Sequence, residues 1–343
     1  MASLESLPAP LPLFIAKDLP DLKALDALRQ SSALFVAVFT RHAVELLEHL
    51  MLATLHEELV SELRAHVLLV ADLERWRRTD SAVERLYEDA QSPLARNMPA
   101  EAVSMTLQTF SFLHSLGGQV AEAKLQELYA LPHYSSKCGF DTPSYYATEG
   151  IPYDVPAPSS LDWTEEQRVL KSLFHIRNHA LLGLEIHQPP SQPRALWRFC
   201  IVYECYRLFE DHLYEITQMS IATSPSCWRV PAPRCDEHLQ DWPNDSNITG
   251  TTDGWRFFHA RCALRSAFRS PMSHTDWIVF SDLGMAIWSH RRLVLDLALV
   301  GRKRRRARKP AESRPNFVFS WWMLGRDRIP AKDDECSFLD IAI

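Results

Sequence analysis

The sequence predicts a mostly α-helical protein, and three observations support this fold class. Apolar residues recur at mixed spacings of three and four over most of the 343 residues, as they do on one face of a helix. No segment alternates polar and apolar side chains over six residues, so we expect little β-structure. Glycine is scarce at 10 residues, while the 22 prolines fall mainly between the periodic segments, where they end helices.

The N-terminal part of the chain contains the first periodic segments. Residues 11–39 predict two or three short helices, broken at Pro20 and at Ser31-Ser32. Residues 42–54 predict another amphipathic helix, and a third period runs from Leu59 to Trp76. We therefore expect a cluster of short helices at this end of the chain.

The middle of the chain contains a long helical pattern and a proline-rich segment. Residues 100–131 predict either two antiparallel helices or one helix with a break at Gly117-Gly118. Residues 132–162 carry five prolines and several tyrosines, which predicts a long irregular loop. Loops of this length often carry function, so an enzyme with a site here is one interpretation.

Asp162 and Glu165 have the spacing of a capping box, with Asp at the N-cap and Glu at N3. The helix behind them is predicted to run to Pro189-Pro190. A second strong helix is predicted over about 195–219. Beyond it, 223–250 is polar and rich in proline, as expected for a loop, and 253–300 is helical in pattern.

The charge of the chain is concentrated in one basic run. The net charge is −6, and seven of the 37 basic residues lie between 302 and 309. The 30 other basic residues face 43 acidic ones, which leaves the rest of the chain at −13 and argues against specific nucleic-acid binding. The run predicts a nuclear address read by an import receptor, a solvated helix end being the main alternative. Its basic residues are Arg302, Lys303, Arg304, Arg305, Arg306, Arg308 and Lys309.

The cysteines and the N-terminal residues predict the cellular compartment of the protein. The seven cysteines are odd in number and scattered, as expected for reduced thiols. The N-terminus lacks the basic region of a signal peptide, and no window has the ~18 uncharged apolar residues of a membrane helix. We expect a protein of the nucleus or cytoplasm that is neither secreted nor membrane-bound.

Catalytic and metal-binding patterns are weak. The chain has no G-x-S-x-G motif, and no glycine precedes Gly117, so its first third has no phosphate-binding glycine loop. His175 and His179 share a helical face at i, i+4, a spacing that can bind zinc, but Glu does not follow the first histidine as in metalloproteases. Cys227 and Cys235 match no common zinc module. We therefore expect no catalytic residue, no metal and no cofactor.

The N-terminal segment contains a pattern of a known family. Leu-Pro opens it, an apolar helix follows, and a leucine-aspartate-leucine turn leads to a helix that ends at an aromatic residue. The residues in question are Leu11-Pro12, Ile15, Leu19-Pro20-Asp21-Leu22, Leu25, Leu28, Ser31, Phe35 and Phe39. This segment resembles an F-box, although Leu13-Phe14 stands where that family commonly has a polar residue and Glu. The stretches 163–174 and 280–292 are similar to uncharacterised fungal proteins with an F-box-like N-terminus.

The resemblance implies a non-enzymatic adaptor, the substrate-recognition subunit of a ubiquitin ligase. An F-box completes its core against a Skp1-like adaptor protein, with amphipathic helices meeting in a groove. The partner-binding residues that the resemblance implies are Leu11, Pro12, Ile15, Leu19, Leu22, Leu25 and Leu28. It also implies three parts: an F-box-like segment over 1–40, an irregular multi-helix domain over 41–300, and the basic run with the tail over 301–343.

Two other interpretations remain at this stage. The leucines of the N-terminal segment can instead pack onto the helices at 42–76, in a nuclear regulatory or interaction protein whose F-box-like segment is only structural. A helical enzyme of unknown reaction is the third.

Replacing Arg304, Arg305 and Arg306 with Ala tests the nuclear address. We expect a fluorescently tagged variant to leave the nucleus while remaining folded, because the import receptor loses three of its cationic contacts. Fluorescence microscopy gives the distribution, and an unchanged nuclear signal would reduce the run to a solvated helix end.

Overall fold

The computed structural model describes residues 8, 10–77, 82–130, 133–135, 151–153, 160–183, 208–218, 287–288 and 292. Over these residues the protein is mostly helical, which confirms the predicted fold class. The basic run, the 223–250 loop and most of 195–219 and 253–300 lie outside them. The helices are α1 (Pro10–Lys17), α2 (Leu22–Ser31), α3 (Ala33–Thr54), α4 (Glu57–Ala71), α5 (Leu73–Arg77), α6 (Ala82–Asp89), α7 (Ala100–Ala130), α8 (Trp163–Leu182) and α9 (Leu213–Gln218).

The chain divides into two units. The first comprises residues 1–121, 163–190 and 209–234, and it contains α1–α6, most of α7, α8 and α9. The second comprises 122–162, 191–208 and 235–343. Its described part includes two short strands, β1 (His133–Ser135) and β2 (Ile151–Tyr153), which pair antiparallel. The prolines of 132–162 predict an irregular loop. Two short stretches of this segment are instead paired strands.

Side-chain caps explain the breaks between the first three helices. The Asp21 side chain accepts a hydrogen bond from the backbone N–H of Ala24 at 2.7 Å and caps α2. The Ser32 side chain caps α3 in the same way, accepting from the N–H of Phe35. The predicted breaks at Pro20 and Ser31-Ser32 are confirmed.

Helix α3 is longer than the sequence suggested. It runs from Ala33 to Thr54 and merges two segments across a kink at His42, whose backbone angles are φ −123° and ψ 20°. A domain boundary at residue 40 would fall inside this helix. The last residues of the segment 1–40, from Ala33 onwards, thus belong to a helix that continues to Thr54.

Helix α7 runs through Gly117-Gly118 without a break, which corrects the predicted interruption. A Cβ placed on Gly117 would lie 3.0 Å from Val169 Cγ1 and 3.2 Å from Leu173 Cδ1, both on α8. Gly117 therefore lets α8 approach the α7 backbone closely. The packing of α8 outweighs the poor helix propensity of glycine.

Helix α8 is the central element of the first unit. Leu173, Phe174 and Ile176 are fully buried, and the helix packs on α4, α5 and α9. It ends at Leu182 rather than at the predicted Pro189-Pro190. Gly183 has a φ of +72°, a left-handed conformation that favours glycine and stops the helix.

The two adjacent glycines of α7 form a matched pair for a stability test. Gly118→Ala adds a methyl group with no atom within 4 Å, so we expect it to raise the free energy of unfolding by about 0.5–1 kcal/mol. Gly117→Ala should give a smaller gain or a loss, because its methyl group presses on α8. Urea denaturation measures both, and equal gains would contradict the close approach of the two helices.

Candidate functional site

The seven predicted partner-binding residues do not form one exposed face. Pro12, Leu22 and Leu25 are buried inside the protein. Leu19 and Leu28 are half-buried. Only Leu11 and Ile15 are exposed, at 43% and 39%. Three of the seven side chains therefore belong to the interior of the chain itself.

Helix α1 nevertheless has apolar residues on both of its faces. Pro12 and Ala16 point inward and are buried. Leu11, Phe14 and Ile15, at i, i+3 and i+4, point outward, and Phe14 is 64% exposed. We call these three residues the α1 apolar face. A surface helix is normally polar on its outer side, so this face is suited to a partner.

Phe14 is not among the predicted partner-binding residues, because Leu13-Phe14 stands where the F-box family commonly has a polar residue and Glu. The signal that could have found it is the composition of α1, in which Lys17 is the only charged residue. A helix of that composition at the edge of a bundle cannot bury all of its apolar side chains.

The position of α1 is fixed by packing and by one ion pair. It packs against α3, and Lys17 Nζ donates to Glu45 Oε1 at 2.5 Å. His42 Nδ1, at the kink of α3, lies 3.1 Å from Glu45 Oε2. The hydrogen bond from Lys17, followed by that from His42, lowers the pKa of Glu45. Glu45 therefore stays ionised and holds the C-terminal end of α1 against α3.

A second polar residue anchors α2. The carboxylate of Asp26 is buried and accepts hydrogen bonds from Arg29 and Gln30 on its own helix. It also accepts from Ser111 Oγ on α7, at 3.2 Å. This contact ties α2 to α7.

The two histidines considered for zinc lie in a different arrangement, a polar cluster between α4, α6 and α8. We call it the Glu62 cluster, and its members are Glu62, His66, Tyr87, His175 and Asn178. The Glu62 carboxylate accepts from Tyr87 Oη at 2.6 Å and from Asn178 Nδ2 at 3.1 Å. His175 Nδ1 lies 2.9 Å from the other carboxylate oxygen. Three donors from two other helices thus surround one buried carboxylate.

Asn178 extends this network to His66. Its Nδ2 also donates to the backbone oxygen of Glu62, and its Oδ1 lies 2.9 Å from His66 Nδ1. Since Oδ1 can only accept, His66 carries its proton on Nδ1. Burial, and secondarily the charge of Arg177, lowers the pKa of His66 to about 3. Burial and the neighbouring Glu62 raise the pKa of Tyr87.

The His179 ring lies beside that of His175, tilted by 37° with ring centroids 4.2 Å apart. Its Nε2 atom is buried and has no hydrogen-bond partner among the described residues. Burial, and then the charge of His175, lowers the pKa of His179 well below its usual value, so its ring stays neutral.

A metal site at these histidines would need further ligands beside them. Within the described residues, no three His, Cys, Asp or Glu side chains are placed to hold a metal ion. Cys227 and Cys235 lie outside those residues. His175 belongs to a hydrogen-bonded network, in which its Nδ1 is held by Glu62.

Comparisons with known proteins find no match among protein families, curated proteins or solved structures. Across the described part of the chain, no helix is long and apolar enough to cross a membrane.

The buried histidines predict a loss of stability in mild acid. A histidine with a lowered folded-state pKa binds its proton more readily when unfolded, so stability is present above the unfolded pKa of about 6.5 and is lost as the pH falls. In the wild type, the free energy of unfolding should fall as the pH drops from 6.5 to 5. In His66→Gln the slope of this fall should be smaller by about 1.4 kcal/mol per pH unit, because the buried group that cannot take up a proton is gone.

Urea denaturation at each pH measures this slope. His49→Gln is the matched control, since it replaces the same residue type at an exposed position. Parallel curves for the wild type and His66→Gln would show that His66 does not govern the acid response.

Proposed function

We propose that α1–α3 form an F-box-like docking module and that the chain is a substrate-recognition adaptor of a ubiquitin ligase. The observation that carries this proposal is the α1 apolar face, three large side chains that are exposed on a helix whose other side is already packed. The Leu-Pro register of the segment supports the choice of partner, a Skp1-like adaptor protein.

The α1 apolar face has the pattern of a helix that binds in a groove. Anchors at i, i+3 and i+4 lie on one side of a helix and insert together into an apolar groove. Phe14 offers the largest exposed apolar side chain of the three, and aromatic residues often dominate the binding energy of an interface. We therefore propose Phe14 as the central anchor, with Leu11 and Ile15 beside it.

The buried residues among the seven predicted partner-binding residues position the docking helices in this proposal. Pro12, Leu22 and Leu25 fix α1 and α2 within the first unit rather than contact the partner. The ion pair between Lys17 and Glu45 adds a fixed point at the end of α1. Rigid placement of an anchor lowers the entropy that is lost on binding.

A second candidate is a nuclear regulatory or interaction protein whose N-terminal helices are only structural. The burial of Pro12, Leu22 and Leu25 favours it, because these three side chains already have partners within the chain. In this proposal the basic run at 302–309 binds an import receptor, and the α1 apolar face contacts no Skp1-like protein.

Phe14→Asp separates the two candidates. A charge in the centre of an apolar contact is left without a partner, so we expect co-purification with the Skp1-like adaptor of the source cell to fall about 10-fold or more. Leu52→Asp is the matched control, since Leu52 is 65% exposed and lies on α3 rather than on α1.

The adaptor proposal fails if the folded wild type does not co-purify with the Skp1-like protein, or if both variants retain it equally. Buried positions are poor tests, because Leu22→Ala removes about 2–5 kcal/mol of stability and lowers binding through unfolding. Circular dichroism at the temperature of the binding assay establishes that both exposed variants are folded.

A further inference from the structure

We propose that Glu62 and His175 form a proton-transfer site that acts on uncharged carboxylic esters. The site lies on α4 and α8, apart from the α1 apolar face, and it does not depend on the adaptor proposal. The geometry of the Glu62 cluster carries the inference.

The first element of the site is an oriented histidine. His175 Nδ1 lies 2.9 Å from Glu62 Oε1 and 3.1 Å from Tyr87 Oη. Since Tyr87 donates its own proton to Glu62, both oxygens can accept from Nδ1, and the proton of the neutral ring resides there. The lone pair of the ring is then on Nε2.

The second element is a difference in exposure between the two partners. The Glu62 side chain is 6% exposed, whereas the His175 side chain is 27% exposed. Among the described residues, His175 Nε2 has no hydrogen-bond partner and is not one of the buried unsatisfied atoms. The carboxylate is thus inside the protein and the basic nitrogen is available at its surface.

The third element is the rigidity of the carboxylate. Tyr87 on α6 and Asn178 on α8 both donate to Glu62 Oε2, which leaves Oε1 facing His175. A buried carboxylate that holds Nδ1–H fixes the ring and stabilises the positive charge that develops when Nε2 takes a proton. Glu62 and Tyr87 are therefore positioning residues, and His175 is the catalytic residue of the proposal.

The local charges select the class of substrate. Glu62 lies 2.9 Å from His175 Nδ1. The exposed charged residues of α6 around Tyr87 are Glu84, Arg85, Glu88 and Asp89, which leave this helix with a net negative charge. The cation one turn before His175, Lys171, is paired with Glu58. A phosphate ester would meet net negative charge here, whereas an uncharged carboxylic ester would not be repelled.

The chemical step is hydrolysis by an activated water molecule. His175 Nε2 takes one proton from a water molecule while the oxygen of that water forms a bond to the acyl carbon of the ester. The tetrahedral carbon then expels the alcohol oxygen, whose C–O bond breaks, and the proton on Nε2 passes to that oxygen. One ester and one water become one carboxylic acid and one alcohol, with no oxidant or metal required.

His175→Asn in the full-length chain, with p-nitrophenyl acetate as the probe, tests the proposal. Asn places an amide nitrogen near the position of Nδ1, so it keeps a donor for Glu62 while removing the base at Nε2. We expect the second-order rate constant for release of nitrophenol to fall about 10²-fold, the lower end of what a positioned general base contributes.

His42→Asn is the matched control. His42 Nδ1 also lies beside a carboxylate oxygen, 3.1 Å from Glu45 Oε2. This pair is an i, i+3 contact within α3, its carboxylate is half exposed, and it lacks the Tyr87 and Asn178 donors. We expect this variant to retain the wild-type rate. Glu62→Gln provides a second readout: it should lower kcat with little effect on KM, because the carboxylate orients the base without touching the substrate.

Three results would overturn the proposal. Equal rates for the wild type and His175→Asn would show that Nε2 takes no part. Equal losses in His175→Asn and His42→Asn would assign the reaction to surface histidines in general. Faster hydrolysis of p-nitrophenyl phosphate than of the acetate would exclude the proposed substrate class. A thermal melt of each variant shows that the rates compare folded proteins.

Discussion

The buried carboxylate of Glu62 is the constraint on which the arrangement of α4, α6 and α8 depends. An ionised group inside a protein is costly unless hydrogen bonds replace its water. Here Tyr87 comes from α6, His175 and Asn178 come from α8, and the carboxylate itself belongs to α4. Each helix must therefore keep its position for the hydrogen bonds of the Glu62 carboxylate to remain formed.

Apolar packing surrounds this polar cluster and gives it a defined environment. Ala65, Leu69, Trp76, Leu86 and Leu181 form a buried group beside it, to which α4, α5, α6 and α8 all contribute. On the other side of α8, Gly117 brings the backbone of α7 close to Val169 and Leu173. Hydrogen bonds specify which faces meet, and the apolar contacts supply most of the free energy of burial.

The features that were predictable from the sequence are local ones. The three-and-four spacing, the capping residues Asp21 and Ser32, and the proline positions place the N-terminal helices within a few residues. The continuity of α7 through its glycines was not predictable, because it depends on how closely α8 packs. The end of α8 has a signal in the sequence, since Gly183 follows the last helical residue, but Pro189-Pro190 is a second stop signal and the sequence does not rank the two.

The candidate sites were harder to predict from the sequence than the helices. The resemblance to an F-box pointed to the N-terminal segment, but it could not separate Leu22 and Leu25, which are buried, from Leu11 and Ile15, which are exposed. The Glu62 cluster joins residues 113 positions apart, such as Glu62 and His175. Sequence spacing shows that His175 and His179 share a face, but it does not show what the fold places opposite them.

The kink at His42 has a consequence for the folding of the N-terminal helices. A helix extends cooperatively, one hydrogen bond per added residue, as long as successive residues keep helical backbone angles. His42 departs from those angles, so α3 consists of two cooperative segments, on either side of residue 42. The second segment is held at both ends: Lys17 of α1 pairs with Glu45 near its start, and Trp163 Nε1 of α8 donates to the backbone oxygen of Thr54 at its end.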